Sequence, residues 1–170
     1  MKSNPSAVMV ADYRVEVKQG TRILNLGAPP GIIEAMPYEI GISTHKRCEM
    51  VEITDLVRRA LVETGLVEGA VLVYVPHTTA GITIQENADP DVARDILMEL
   101  EKIVPFEDGY LHGEGNSAAH LKSSLFGSSV NVLVENGEPL LGTWQGIYFC
   151  EFDGPRNRKV WLKRVGDGLA

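Results

Sequence analysis

The sequence predicts an α+β protein with largely antiparallel strand pairing, and three observations carry that prediction. Extended and helical patterns follow one another as β, α, β, β, α, α and then β, β, β between Met36 and Val165, which is not the regular alternation of a doubly wound sheet. Gly65, Pro76, Pro105 and Gly127 each stand where one periodicity stops, as helix caps and strand ends require. The 170 residues, 44% of them hydrophobic, suffice for one good core and not for two.

Residues 1–36 read as an appendage. Two short alternating stretches, Tyr13 to Val17 and Arg22 to Leu26, precede a Gly-Ala-Pro-Pro-Gly breaker at Gly27 to Gly31, the pattern of an extra hairpin on the main sheet. A single domain over 37–170 follows. Its first extended segment runs from Met36 to Ser43, and a helix opens near Thr54, repeats Leu56, Val57, Ala60 and Leu61 on one face, and closes at Gly65, a residue suited to a left-handed cap. Ala70 to Val75 is a continuous apolar run of the kind buried on both faces of a sheet. It stops at Pro76, where a backbone donor is lost.

Gly81 to Gln85 is extended again. Asp89 and Pro90 then supply an N-cap and a first helical residue in the expected order, and Val92, Ile96, Leu97, Leu100 and Ile103 keep helical spacing until Pro105. A loop rich in glycine and acid, Glu107 to Gly115, leads to a short helix over Ser117 to Phe126, with Asn116 or Ser117 as cap and Gly127 as stop. Ser129 to Val165 reads as consecutive strands with tight turns at Glu135 to Glu138 and Asp153 to Asn157.

Composition excludes several function classes. A formal charge of -7 opposes binding that works by neutralising phosphodiesters, so nucleic acid is not the expected partner. No apolar run approaches the roughly 20 residues that span a bilayer, and the segment after Met1 lacks the basic end and apolar stretch of a signal peptide. The expectation is a cytoplasmic protein without a membrane partner. Cys48 and Cys150 accordingly read as free, buried thiols.

Three of the four histidines fall at element boundaries, where functional side chains concentrate: His77 after a strand, His112 in the glycine-rich loop, His120 in the first turn of the short helix. A helix start favours neutral imidazole, the form that ligates metal. Spacing alone does not assemble a zinc motif, and each histidine reads equally as a capped or solvent-facing residue. His45 reads as surface. Thr78 and Thr79 follow His77, while Glu86, which offers a general base or an oxygen ligand, closes the next extended segment with Asn87 and Asp89. Glu86 and His77 therefore lie at opposite ends of that segment unless a bulge or a subunit interface unites them. Trp144 and Gln145 stand between Gly142 and Gly146, and glycines inside a strand mark a bulge or a close approach; Trp144 serves equally as a core aromatic. In the basic cluster from Pro155 to Lys159 with Lys163 and Arg164, Arg156 is best placed for a phosphate, and the rest reads as a solvated strand face.

The stretches His77-Thr78-Thr79-Ala80, Glu86 to Val92, Tyr110-Leu111-His112, Ala119-His120-Leu121-Lys122, and Ser129 through Gly142-Thr143-Trp144-Gln145-Gly146-Ile147 resemble the YjbQ-like family, in that family's order, from about Tyr38 to Gly166. With the helices read above, the resemblance implies two largely antiparallel sheets in a sandwich-like arrangement with two main helices and one short one, homotrimers around a threefold axis, and one site containing His77, His112 and His120. Its members are described as secondary thiamine-phosphate synthases, which supply that activity weakly beside a physiological reaction thought to differ.

The implied reaction joins hydroxymethylpyrimidine diphosphate to a thiazole phosphate, giving thiamine phosphate and pyrophosphate. In it His77, Glu86, His112 and His120 do the chemistry. Thr78, Thr79, Asn116, Lys122, Trp144, Gln145 and Arg156 contact substrate, and the three histidines hold a divalent metal, zinc or magnesium. A metal-dependent hydrolase of a small phosphorylated metabolite and a non-catalytic trimeric metal-binding protein use the same residues. Residues 1–35 have no counterpart in the family pattern, and the loop from Gly113 to Ala119 is compact.

Overall fold

A computed structural model describes the backbone of residues 8–10 and 13–15 and the whole of 37–165. The elements are β1 (Val8–Val10), β2 (Tyr13–Val15), β3 (Tyr38–Ser43), β4 (Glu49–Glu52), α1 (Thr54–Thr64), β5 (Gly69–Tyr74), β6 (Ala80–Glu86), α2 (Pro90–Ile103), α3 (Ser117–Phe126), β7 (Ser129–Glu135), β8 (Glu138–Pro139), β9 (Gln145–Glu151) and β10 (Asn157–Val165). β1 and β2 form a two-stranded sheet of their own with Val10 opposite Tyr13, so among the described residues Tyr13 to Val15 pairs with the preceding Val8 to Val10, a partner the sequence reading did not name. The stretch Arg22 to Leu26 lies outside the described residues.

Two antiparallel sheets carry the domain, one ordered β3-β10-β5-β7-β8 and the other β4-β9-β6. Period-two burial explains how they pack, because alternate side chains of a strand face one side. Ile40 and Ile42, Val71 and Val73, Val132 and Val134, Val160 and Leu162 point from the five-stranded sheet into one core with Val51, Ile82, Ile147, Phe149 and the α1 residues Leu56, Val57, Ala60 and Leu61. Tyr148 and Cys150 on β9 face the other way, into a second cluster with Leu100 of α2, Ala119 of α3 and Phe152. β9 is thus buried from Gly146 to Glu151.

Local signals set the element ends. Gly65 adopts φ 68° and its N–H reaches the carbonyls of Leu61 and Val62, closing α1 as only a residue without a Cβ does cheaply. Asp89 accepts the Asp91 N–H and Pro90 occupies the first turn of α2. Asn136 and Gly137, at φ 53° and 79°, make the tight turn from β7 to β8.

Three expectations need correction. β4 has no separate signal in the sequence: four residues are too few to show alternation, and pairing with β9 creates the strand. The run Ala70 to Val75 is not buried on both faces, since Tyr74 is 37% exposed on the outer side. A β-branched run fits one covered face as well as two. Of the thiols, Cys150 is buried but Cys48 is only half-buried, and both are free.

α2 buries only Leu100 fully, while Met98 and Ile103 of its apolar side chains remain 51% and 66% exposed. Among the described residues no helix is long and apolar enough to cross a membrane.

Phe149, fully buried between the sheets, is expected to lose about 3–5 kcal/mol of stability on Phe149→Ala. Val62→Ala, at an exposed position, should stay within about 0.5 kcal/mol. Urea unfolding monitored by circular dichroism measures both.

Candidate functional site

The apolar run of β9 ends on a carboxylate, and that carboxylate organises one end of the molecule. Glu151 is 0% exposed, so its charge is tolerable only if paired and hydrogen-bonded. It accepts from the Arg158 Nε at 2.6 Å and Nη2 at 2.5 Å, the Thr44 hydroxyl at 3.0 Å, and the N–H groups of Phe152 and Asp153 at 3.0 and 2.9 Å. Arg158 is in phase with the inward-facing Val160 and Leu162 on β10 and is 7% exposed. Its Nη2 also donates to the Thr79 hydroxyl at 2.9 Å, and the Phe152 N–H donates to the Thr79 carbonyl at 3.2 Å. The loop between β5 and β6, which carries His77, Thr78 and Thr79, is fastened to both sheets in this way.

His77 fills a gap in a ladder. β5 pairs with β10 as far as Tyr74 opposite Trp161, and two residues on Pro76 interrupts the strand. The Lys159 N–H on that side donates instead to His77 Nε2, at 2.8 Å. Burial, then the Arg158 guanidinium, hold the His77 pKa below its ordinary value against the opposing pull of Glu151.

Asp153 joins α3 to the turn before β10. Its carboxylate accepts from Asn116 Nδ2 at 3.2 Å and Arg156 Nη2 at 2.7 Å, and its carbonyl accepts from Arg156 Nε at 2.7 Å. Burial raises its pKa, but the hydrogen bonds from Arg156 and Asn116 outweigh burial and leave the carboxyl below the usual range. Asn116 occupies the N-cap position of α3 without capping it by its side chain, and its Oδ1 is buried with no hydrogen-bond partner. One turn on, the His120 ring meets His112 edge to face with centroids 5.4 Å apart. His112 Nε2 lies 3.7 Å from the Glu114 carboxylate.

His77, Thr79, Asn116 and Arg156 are therefore tied into one network, with exposed Thr78 in the same loop as His77 and the His112–His120 pair beside Asn116. Glu86, Trp144 and Gln145 are not brought to it. In the β6–β9 ladder Ala80 faces Glu151 while Glu86 faces Gln145, a strand length of about 20 Å away. There Trp144 is 65% exposed, its carbonyl accepts the Asn87 N–H, and the Gln145 amide oxygen accepts the Gly142 N–H. Lys122 is 1% exposed, its ammonium paired with Glu101 and 3.9 Å above the Phe106 ring, so the fold itself uses that charge.

A three-histidine metal set is not assembled within the chain. Among the described residues no group of three or more His, Cys, Asp or Glu side chains is placed to hold a metal ion. The His112 and His120 rings are in edge-to-face contact, whereas the Nε2 lone pair of His77 is occupied by the Lys159 N–H.

The reading of the basic cluster as a solvated strand face is corrected at Arg158, which points inward. Glu151, Asp153 and Thr44 also escaped the sequence reading. An acid interrupting the run Ile147 to Phe152, and an arginine in phase with Val160 and Leu162, were the signals available.

Arg158→Met strands a buried carboxylate and is expected to cost about 3–5 kcal/mol. Adding Glu151→Leu to that variant should recover most of the loss, because the double change removes both charges. A double-mutant cycle in urea reads this; equal destabilisation by single and double variants contradicts the assignment.

A comparison with protein-family models matches residues 38–167 to the family described as UPF0047 protein YjbQ-like. The UPF0047 protein YugU of Bacillus subtilis is 58% identical over 126 residues, covering 74% of this chain and 96% of that protein. A UPF0047 protein of Methanocaldococcus jannaschii is 49% identical over 136 residues, 80% of this chain and 99% of its own. Among solved structures, a YjbQ/UPF0047 protein of Clostridium acetobutylicum superposes with a TM-score of 0.73 at 55% identity, covering 75% of this chain and 98% of that one. A conserved hypothetical protein of Thermus thermophilus does so with a TM-score of 0.70 at 43% identity, over 75% and 98%. The two-sheet α+β architecture is common to this group, and the chain belongs to the UPF0047 YjbQ-like family.

Proposed function

We propose that the chain is an enzyme of the thiamine phosphate synthase type, a cytoplasmic transferase that joins hydroxymethylpyrimidine diphosphate to a thiazole phosphate and releases pyrophosphate. The observation that carries this reading is the polar end built on Glu151 and Arg158, which presents anion-binding groups on a rigid base. Arg156 is oriented by two bonds to Asp153, and its side chain is 53% exposed, leaving guanidinium N–H groups free to take a phosphate. His77 and Thr78 border the same end, and the His112–His120 pair stands by α3. Donors fixed before the substrate arrives stabilise developing charge on a leaving diphosphate without a reorganisation cost. A divalent ion, zinc or magnesium, would be held by His112 and His120 together with phosphate oxygens, and would neutralise part of that charge.

Self-association belongs to the same proposal. Met98, Ile103, Leu121 and Leu125 on α2 and α3 are 46% to 66% exposed, a large apolar share for a surface facing water, and a homotrimer would cover them. The end bearing Glu86, Trp144 and Gln145 would act on substrate only as the contribution of a second copy, given its distance along the β6–β9 ladder.

Purified protein supplied with hydroxymethylpyrimidine diphosphate and thiazole phosphate should form thiamine phosphate and pyrophosphate in equal amounts. Arg156→Ala is expected to lower kcat/KM by about tenfold or more, the scale of a lost charged hydrogen bond. No product from the wild type, together with failure to rescue a thiamine auxotroph, defeats the reading. Separately, Ile103→Glu should shift sedimentation from trimer towards monomer; an unchanged trimer would show that this face is not its interface.

A further inference from the structure

The imidazole of His77 is held in one tautomer. Its Nε2 accepts the Lys159 N–H at 2.8 Å, and a neutral imidazole has one acceptor nitrogen, so the proton resides on Nδ1. Turning the ring over would set a carbon against that N–H, so the orientation is determined by the contact. Among the described residues Nδ1 has no hydrogen-bond partner, and His77 is partly exposed. The loop is fixed on both sides of the ring. The Val75 N–H donates to the Ser128 carbonyl at 2.7 Å, and Thr79 is held through its carbonyl and its hydroxyl by Phe152 and Arg158.

We propose that His77 works through this fixed Nδ1–H, as a hydrogen-bond donor to a phosphate oxygen of the substrate, and not as a metal ligand or a proton acceptor. The proposal rests on the phosphate reading given above. Either rejected role needs a free imidazole lone pair, and the only one is spent on Lys159. Breaking that bond would leave a main-chain donor of β10, beside the end of β5, unpaired. Donation needs no change at all, since the donor is already oriented and Arg156 supplies positive charge at the same end of the molecule.

The tautomer is directly measurable. A long-range proton–nitrogen correlation spectrum of the 15N-labelled full chain at pH 7.5 should show His77 as the Nδ1–H form, its signals identified by their loss in His77→Gln. Inorganic pyrophosphate is the binding probe. His77→Gln keeps an amide oxygen for the Lys159 N–H and loses the outward donor, so pyrophosphate should bind about tenfold more weakly. His77→Asn sets an amide N–H near the Nδ1 position and should retain affinity within about threefold. Added Zn2+ should shift the ring nitrogens of His112 and His120 and leave those of His77 in place.

An Nε2–H tautomer, zinc-induced shifts at His77, or equal pyrophosphate affinity in His77→Gln each overturn the donor role while the phosphate reading stands. A wild type that binds no pyrophosphate removes the phosphate reading and the donor role with it. Because the tautomer is read on the wild type, a variant that folds poorly does not protect the proposal.

Discussion

The ion pair between Arg158 and Glu151 is the constraint on which this end of the molecule depends. Glu151 belongs to the three-stranded sheet and Arg158 to the five-stranded one, so the pair clips the two layers together where both sheets run out of apolar side chains. Desolvating two charges is expensive, and a well-packed apolar pair often serves stability equally well. Geometry gives the better account of its presence. Through the two partners the pair fixes Thr44, Thr79 and the main chain at Phe152 and Asp153, and hence the positions of His77, Asn116 and Arg156.

The helices were readable because their signals are local. Gly65 takes the left-handed φ of a cap whatever packs above it, and Asp89 with Pro90 starts α2 through contacts within three residues. Strand faces were not, because exposure of a strand is decided by what lies across it. The run Val71 to Tyr74 and the run Ile147 to Cys150 look alike in composition, yet the first has an open outer face and the second is covered on both sides. The covering layers for β9 come from α1 with the facing sheet and from α2 with α3, elements distant in sequence. β4 exists for the same reason, as a partner for β9.

The site divided along the same line. Asn116 and Arg156 were visible as polar residues at element ends, and both join the network at Asp153. Its foundation was hidden, because Arg158 sits in a cluster of basic residues whose neighbours Lys159 and Lys163 are exposed; only its parity with Val160 distinguishes it. The order of motifs identified the family correctly but does not specify which motifs share a site within one chain. His112 and His120 are neighbours, His77 is tied to Lys159, and Glu86 and Gln145 occupy the far end of the β6–β9 ladder.

That separation follows from β9 itself. A strand whose two faces both meet apolar layers has no polar position along its length, so polar side chains can gather only where it enters and leaves the interior. Gly142 to Gln145 form the entry, with the Trp144 carbonyl taking the Asn87 N–H. Glu151 to Arg156 form the exit, with the buried pair at its base. Two polar ends about 20 Å apart are thus a consequence of the same burial that makes the domain stable. No rearrangement of side chains within the chain brings them together. If both ends act on one substrate, a second copy must supply one of them, and the uncovered apolar side chains of α2 and α3 are a surface through which such a copy would approach.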